Sequence, residues 1–415
     1  PLFAPFISAD ELDSKISKIE IQLKGKRVSF QDQRAELILF KNHDISNSKI
    51  VIIAPHPDDA EIAAFGLYSS LAVPNRSNPS GSSKNIYVAT ITAGDAGTYQ
   101  YDEIYSSRKN HFLKKGKIRT WNSITVPLLG GVQSDNVINL GFFDGTLQTM
   151  FEKNPESVKA LYTGISNIKI FRQQNISPLA DLLTGGANWN SLVENLVNLL
   201  KYIKPDIIVT PYPALDRHPD HKFTSIALFE AIKQVAIINA DEKNENQEQE
   251  RAEQNENQPA DSHQSYDIRK AYLYFYTNHF VLNEYYPYGQ MGAVISLPPV
   301  FKNIEHSGEK DKELPIKAEL AMDNIYFRAI YSHQLSADRQ REKILSLEAM
   351  NDLRPDTSWR FSKEALKMAV ASVKRDIMGK NVSYYRRAVR NNELFFVVPV
   401  SDIYNPAVLS KIIGF

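Results

Sequence analysis

The stretch that most constrains the fold is VIIAPHPDDAEIAAFG, Val51–Gly66, where a short apolar run ends in His-Pro-Asp-Asp and an alanine-rich segment follows. The run at its start predicts a buried strand, and the alanine-rich part predicts a helix from about Ala60 to Leu71, with Asp59 placed to cap it. The segment NIYVATITAG, Asn85–Gly94, predicts the next strand. Strand, helix and strand in close succession are typical of a βαβ unit with parallel strands.

The same alternation returns later in the chain. An amphipathic helix is predicted over Ser191–Ile203, and a short buried strand follows at Asp206–Thr210. These patterns indicate the α/β class. Further strands are predicted at AYLYFYTNHF (271–280), GAVISL (292–297) and ELFFVVPVSD (393–402), and helices at KAELAMDNIYFRAIYSHQ (317–334), ADRQREKILSLEAM (337–350) and SKEALKMAVASVKRDI (362–377).

Composition shifts divide the chain into three parts. Residues 1–48 are predicted to be a β-rich extension packed on the core, because KIEIQLKGKRVSF (18–30) alternates apolar and polar side chains on both sides of a predicted turn at Lys24-Gly25. Residues 49–300 form the predicted central α/β domain, and residues 301–415 a helical region with a final strand, taken as part of the same domain. Within the central part, residues 240–265 have almost no apolar side chains and are predicted to be a mobile surface loop.

Composition also excludes several classes of protein. Lys+Arg and Asp+Glu both number 48, so the net charge gives no indication of binding to nucleic acid or to an anionic membrane. There is no cysteine, so any transition-metal site must be built from His, Asp and Glu. No apolar run approaches the roughly 18–20 residues of a membrane span. A cytoplasmic location is expected, and the missing initiator Met leaves an exported form open.

Three ionisable side chains crowd the end of the first predicted strand: His56, Asp58 and Asp59. Ligands of open α/β sheets bind at the carboxyl ends of the strands. Histidine with aspartate is an acceptable ligand set for Zn²⁺ or a similar divalent ion. Taken alone, the stretch fits a metal site no better than it fits a purely structural role, in which the aspartate caps the helix and His-Pro-Asp forms a turn.

A second cluster follows the strand at Asp206–Thr210 in the sequence VTPYPALDRHPDH, Val209–His221. It again presents His-Pro-Asp, now with His221 three residues after His218. Because the carboxyl ends of parallel strands open at the same edge of a sheet, both clusters are expected to face one crevice. Three of only nine histidines lie in these two places. The pair therefore favours one shared cation site over two unrelated polar turns.

The two motifs together, APHPDDAE and KPDIIVTPYPALDRHPDH, resemble the signature of the PIG-L/LmbE-like de-N-acetylases. The resemblance covers about residues 50–223. It implies a Rossmann-like, mostly parallel sheet with helices on both faces. It also implies a metal-dependent hydrolase, usually a zinc enzyme, that removes acetyl from an N-acetylated sugar.

Carried over residue by residue, the resemblance makes His56, Asp59 and His221 the metal ligands. It makes Asp58 the general base, and His218 the partner of the oxyanion or the acid. The chemistry is consistent, since a divalent metal with three protein ligands and an open position lowers the pKa of bound water. Asp58 lies between two ligands in sequence, so it can accept a proton from that water. A protonated His218 can stabilise the developing oxyanion.

Two aspartates beside the second motif are left with two interpretations each. Asp220 either holds His218 protonated and oriented, as a catalytic residue, or accepts backbone hydrogen bonds in a turn. Asp216 either supports the site from behind or ends the strand.

Weaker family-like features point to substrate contacts. Arg108 resembles the substrate-contacting arginine that opens an R-x-x-E helix in the family, although His111 stands in place of the glutamate. The alternative is that Arg108 is a solvated surface cation. Asp144, in LGFFDG, is predicted to contact sugar hydroxyls or to cap a turn. The Gly-rich TAGDAGT, Thr92–Thr98, resembles a ligand-approaching loop. YSHQ resembles a helical H-x-SQ element, in which we expect His333 to be structural.

The sequence thus predicts a zinc or other divalent-metal N-deacetylase acting on an N-acetylamino sugar or glycoconjugate. Two alternatives stay open: a related amidase acting on a larger N-acyl or thiol-conjugate substrate, and a non-catalytic sugar-binding protein. The presence of Asp58 counts against the latter. A dinucleotide oxidoreductase is disfavoured because no G-x-G-x-x-G follows the first strand. Neither nucleic acid nor a membrane is expected as a partner, and the oligomeric state is left open.

Overall fold

The computed structural model describes residues 44–73, 82–97, 105, 107–253, 266–280, 286–295, 297, 325–350 and 384–414. Three predicted features therefore lie wholly or largely outside the described residues. These are the β-rich extension at 1–48, of which only the last five residues are described, the helix at 362–377, and the insert beyond residue 253.

The centre of the fold is one seven-stranded sheet with the order β3-β2-β1-β4-β5-β7-β6. The first five strands in that order are parallel, while β7 runs antiparallel to both β5 and β6. This arrangement confirms the predicted α/β, Rossmann-like class with a mostly parallel sheet. The strands are β1 (Ile50–Ala54), β2 (Ile86–Thr92), β3 (Val137–Phe142), β4 (Ile207–Pro211), β5 (Tyr272–Tyr276), β6 (Ala329–Gln334) and β7 (Asn392–Pro399).

The α-helices of the described ranges are mostly the crossovers between these strands. The predicted helices after Asp59, Ser191 and Ala337 are all present. The helices are α1 (Asp59–Ala72), α2 (Arg108–Leu129), α3 (Leu147–Glu152), α4 (Lys169–Arg172), α5 (Trp189–Ile203), α6 (Pro219–Glu253), α7 (Ala337–Ala349), α8 (Tyr384–Ala388) and α9 (Pro406–Ile413).

Both faces of the sheet are buried, as alternate residues of β1 show. Val51 and Ile53 belong to the core that includes α5 and α6, whereas Ile50 and Ile52 belong to the core that includes α1. All four side chains are at most 1% exposed. A strand that is buried on both sides has a continuous apolar sequence, which explains the run of apolar residues at 50–54.

Three secondary-structure predictions are wrong, each for an identifiable reason. Residues 329–334, predicted as the end of a helix, form β6 because they pair along their length with β7. The segment predicted as a strand from Gly292 instead begins in a turn, with Gly292 at φ +74°, and continues without strand structure through Ile295. The predicted loop at 240–265 begins as helix, because α6 continues to Glu253 through residues of high helix propensity.

The first part of α6 is long and apolar. By length and composition alone, Pro219–Ala240 is the one helix of the described residues that could cross a membrane, which differs from the sequence expectation that no apolar run approaches this length. Of the 18-residue stretch that meets this criterion, 56% is buried inside the fold.

A buried ion pair ties the C-terminal part of the sheet to the middle of α1. Lys343 Nζ donates to Glu393 Oε1 and to the carbonyl oxygen of Ile62, at 2.7 Å each. Glu393 in turn accepts from the backbone amides of Gly66 and Leu67, at 2.8 Å each. Lys343 and Glu393 are both 1% exposed. The pair therefore anchors the helix that begins at Asp59 to α7 and β7.

Lys343→Met is expected to lower the free energy of unfolding by about 3 kcal/mol, because it leaves the Glu393 carboxylate buried without its counter-ion. Urea denaturation of the two proteins measures the difference. Arg341→Met is the matched control, since Arg341 pairs with Asp338 at the surface, and this loss is expected to stay below about 1 kcal/mol. A Lys343→Met cost no larger than that of the control contradicts the prediction.

Candidate metal centre

Two loops meet at the carboxyl edge of the sheet because β1 and β4 are parallel neighbours. His56 and Asp59 follow β1, and His221 lies in the first turn of α6, which follows β4. Their side chains converge on one point: His56 Nδ1 lies 3.2 Å from Asp59 Oδ2 and 3.2 Å from His221 Nε2. The third side of this triangle, from His221 Nε2 to Asp59 Oδ2, is 3.0 Å. The structure thus brings all three predicted ligands together.

This donor set fits a divalent ion of the zinc type. Ligands around a tetrahedral zinc at bond lengths of about 2.0–2.1 Å lie roughly 3.3 Å from one another, close to the three distances observed. Two imidazole nitrogens and one carboxylate oxygen are also the ligand types that zinc accepts. All three residues are at most 8% exposed. A cation held here would be largely withdrawn from bulk water.

Asp216 supports His221 from behind. Its Oδ2 lies 3.0 Å from His221 Nδ1 and accepts from the backbone amides of Asn278 (2.9 Å) and His279 (3.2 Å). A carboxylate on the far nitrogen of a histidine fixes the tautomer that presents the other nitrogen to a metal. Of the two interpretations of Asp216, the structure therefore supports the one in which it orients a proposed ligand, His221, through a hydrogen bond.

The electrostatics of the cluster favour positive charge. Burial disfavours an imidazolium, but the carboxylates of Asp216 and Asp59 outweigh it and raise the pKa of His221 to about 9. Burial likewise raises the pKa of Asp216, but His221 and His279 and the backbone hydrogen bond bring it down to about 2. For Asp59, burial is again outweighed by His221 and His56, and its pKa lies well below the usual range. A cation in this cluster meets ionised carboxylates.

Asp144 and Asp220 lie on the other side of His56. Its Nε2 is 3.2 Å from Asp144 Oδ1 and 3.2 Å from Asp220 Oδ2. The Asp220 carboxylate also accepts from the amides of Gly145 (2.6 Å) and Leu147 (3.1 Å). Asp220 therefore meets His56 with its side chain, and the contact of Asp144 with sugar hydroxyls stays a prediction.

His218 is held by the backbone of Asp220 rather than by its carboxylate. The Asp220 amide donates to His218 Nδ1 at 3.2 Å, so in the neutral ring the proton is on Nε2. Burial, with His56 and His221 close by, lowers the pKa of His218 to about 3. The structure thus places the Asp220 backbone amide at His218 and directs the Asp220 carboxylate to His56, and a protonated His218 stays a prediction. The neutral ring still offers one N–H donor.

Asp58 is the residue before α1 and has a left-handed backbone conformation, with φ +112°. Its Oδ2 lies 3.3 Å from Arg119 Nη2, which also donates to the carbonyl oxygen of Pro57 at 2.6 Å. Asp59 does not cap the helix as predicted, because it is the first helical residue and its carboxylate is engaged by the two histidines. A positive φ on a non-glycine residue is strained and is often found at functional sites.

The loop after β2 packs against the same groups. Asp95 accepts from the amide of Asp144 at 2.9 Å, and burial raises its pKa to about 7. Gly94 has φ +65°, and a Cβ there would lie 2.8 Å from Arg119 Nε. The glycine of this predicted loop is therefore required by the close approach of Arg119.

Three residues of the site were missed by sequence reasoning: Arg119, Asn278 and His279. Asn278 Nδ2 donates to Asp59 Oδ1 at 2.8 Å, and the His279 ring centroid lies 4.7 Å from that of His221. The predicted strand over 271–280 included the last two, whereas β5 ends at Tyr276. Its true end is the signal that could have found them, since polar side chains at a parallel strand's carboxyl end reach the ligand crevice. Arg119 lies within a long helix and offered no comparable signal.

Two further predicted positions lie elsewhere. Arg108 is exposed at the start of α2, where its guanidinium covers the ring of Tyr162 at 4.6 Å and that of Phe112 at 5.6 Å. Its substrate contact stays a prediction. His333 lies on β6, not on a helix, with Nε2 3.2 Å from Ser70 Oγ of α1. It joins β6 to α1, which agrees with a structural role.

Comparison with known proteins supports the resemblance. Residues 51–232 match the family model of the GlcNAc-PI de-N-acetylases, PIG-L, which confirms the resemblance seen in the two motifs. A search of curated proteins finds no match. Among solved structures, N,N'-diacetylchitobiose deacetylase from Pyrococcus horikoshii is 15% identical, covers 87% of both chains and has a TM-score of 0.40. The zinc-inhibited form of teicoplanin deacetylase is 13% identical over 84% of this chain and 97% of that one, with a TM-score of 0.35.

Proposed function

We propose that this chain, which carries PIG-L family sequence over residues 51–232, is a metal-dependent hydrolase that removes acetyl from an N-acetylamino sugar or glycoconjugate. The observation that carries the proposal is the triangle of donor atoms from His56, Asp59 and His221, together with Asp58, the residue before Asp59 in the chain. Zinc, or another divalent ion of similar preference, is the proposed cofactor. When bound, such an ion polarises an amide carbonyl and lowers the pKa of water.

Asp58 is the proposed general base. Asp58 is 9% exposed, its carboxylate is held by Arg119 at the N-terminus of α1, and it precedes the proposed ligand Asp59 in the chain. From there it accepts a proton from the water that attacks the carbonyl carbon, and it returns that proton to the nitrogen when the C–N bond breaks. The positive φ of Asp58 agrees with a functional position, because strained backbone is found at active sites and ligand clamps.

His218 is the proposed donor to the carbonyl oxygen that becomes negative. The Asp220 amide fixes its tautomer, so Nε2–H is available without a full positive charge on the ring. His218 is only partly buried, and its ring lies 4.6 Å from that of His56, centroid to centroid. A fixed donor at this position stabilises the transition state of amide hydrolysis more than the ground state.

Purified protein is expected to release amine from N-acetylglucosamine conjugates. Dialysis against a chelator is expected to reduce the rate of release at least about 10-fold, since the metal supplies most of the carbonyl polarisation. Adding zinc back is expected to restore it. A fluorogenic amine assay over a panel of N-acetylated sugars and longer N-acyl amides measures both effects. Preference for the longer acyl groups contradicts the acetyl-sugar assignment and favours an amidase. Zinc binding without hydrolysis of any amide contradicts catalysis.

A further inference from the structure

Asn278 lies at the same edge of the sheet as the metal triangle but on a third loop. It is the second residue after β5, the parallel neighbour of β4, and its side chain is 0% exposed. Its Nδ2 donates to Asp59 Oδ1 at 2.8 Å and to the Asp59 carbonyl oxygen at 3.3 Å. Its backbone amide donates to Asp216 Oδ2 at 2.9 Å.

Asn278 therefore contacts one proposed ligand, Asp59, directly, and also Asp216, which supports a second proposed ligand, His221. Asp59 uses Oδ2 toward His56 and His221, while Asn278 engages Oδ1. This division fixes the rotation of the carboxylate, so that Oδ2 stays directed at the other donors. Through Asp216, the same residue also steadies the carboxylate that orients His221.

The chemistry of the side chain suits this task. The amide supplies a neutral N–H donor to a carboxylate that has to stay ionised in order to bind a cation. The amide oxygen of Asn278 has no hydrogen-bond partner within the described part of the chain, so the side chain contributes its Nδ2 donor to the structure and not its acceptor. A group of the same shape without N–H fills the space and leaves Asp59 Oδ1 unpaired.

We propose that Asn278 is a positioning residue for divalent-metal binding, which rests on the metal dependence in the proposed function. Groups that orient metal ligands typically contribute 10- to 100-fold to metal affinity. The Asn278 side chain is expected to fall in this range, because its Nδ2 holds the proposed ligand Asp59 directly.

The test compares zinc affinity of the full-length protein and its variants, measured by competition with a chromophoric chelator. Asn278→Leu keeps the approximate shape and the backbone donor but removes Nδ2, and is expected to weaken zinc binding about 10- to 100-fold. Asn195→Leu is the matched control. Asn195 is also 0% exposed, but its side chain pairs with the backbone of Thr184, at 2.7 and 3.2 Å. It is expected to bind zinc within about twofold of wild type while losing stability to packing and hydrogen-bond loss.

A spectroscopic readout separates positioning from general stability. With Co²⁺ in place of zinc, the visible absorption bands are expected to change in Asn278→Leu and to match wild type in Asn195→Leu. If Asn278→Leu does not fold, Asn278→Ala provides the same comparison with a smaller side chain. Wild-type affinity in a folded Asn278 variant overturns the positioning role and leaves the proposed function standing. Wild-type protein that binds no zinc or other divalent ion overturns both.

Discussion

Asp58→Asn is expected to lower the turnover of an N-acetylated sugar by about 10³-fold or more, while zinc affinity stays within about threefold of wild type. The amide has nearly the shape of the carboxylate but does not accept a proton from the attacking water. Because His56, Asp59 and His221 supply the donor triangle without Asp58, the metal is expected to remain bound. Steady-state kinetics together with metal content measured on the same preparation tests both parts.

The fold is expected to survive this substitution. Asp58 has φ +112°, and asparagine is, with aspartate, among the side chains that best tolerate positive φ. Asp338→Asn serves as a control for the loss of one carboxylate, because Asp338 is on the surface and pairs only with Arg341 among the described residues. Near-wild-type turnover in Asp58→Asn removes Asp58 as the base. Loss of metal from that variant assigns Asp58 to the ligand set instead.

The central part of the candidate site was predictable because its signals are local. Each His-Pro-Asp motif follows a short apolar run, and a run of this kind that is buried on both faces is a strand. Once β1 and β4 are parallel, adjacency of their carboxyl ends follows from sheet geometry, and His56 and His221 meet without further information. Strand-end position therefore sufficed to bring together donor atoms that are 165 residues apart in sequence.

The parts that escaped prediction depend on tertiary contacts. Residues 329–334 form a strand because β7 pairs with them, which a local pattern does not show. Lys343 and Glu393 are 50 residues apart in sequence, and no local pattern indicates that either charged side chain is buried. Asn278 lies within the predicted strand 271–280, which in the structure ends at Tyr276. It belongs to no repeated motif, so its contact with Asp59 depends on the order of β1, β4 and β5, which the sequence alone does not show.

The roles of His218 and Asp220 show a different limit. Spacing placed both beside His221, but spacing does not tell which atom of Asp220 meets which histidine. The structure directs the Asp220 carboxylate to His56 and its backbone amide to His218. The consequence is chemical, because a backbone donor fixes a neutral tautomer, whereas a carboxylate favours the protonated ring.

His221→Ala is expected to weaken zinc binding by more than about 100-fold, beyond the effect of removing a group that only orients a ligand. The substitution removes one of three donors and leaves the buried Asp216 carboxylate without its imidazole partner. Zinc is accordingly expected to raise the melting temperature of wild type but not of the variant. His333→Ala is the control, since His333 is bonded to Ser70 away from the donor triangle, and its zinc-induced rise is expected to be retained. Equal zinc content in His221→Ala and wild type is incompatible with His221 as a ligand. It would also contradict a metal site shared by the loops that follow β1 and β4.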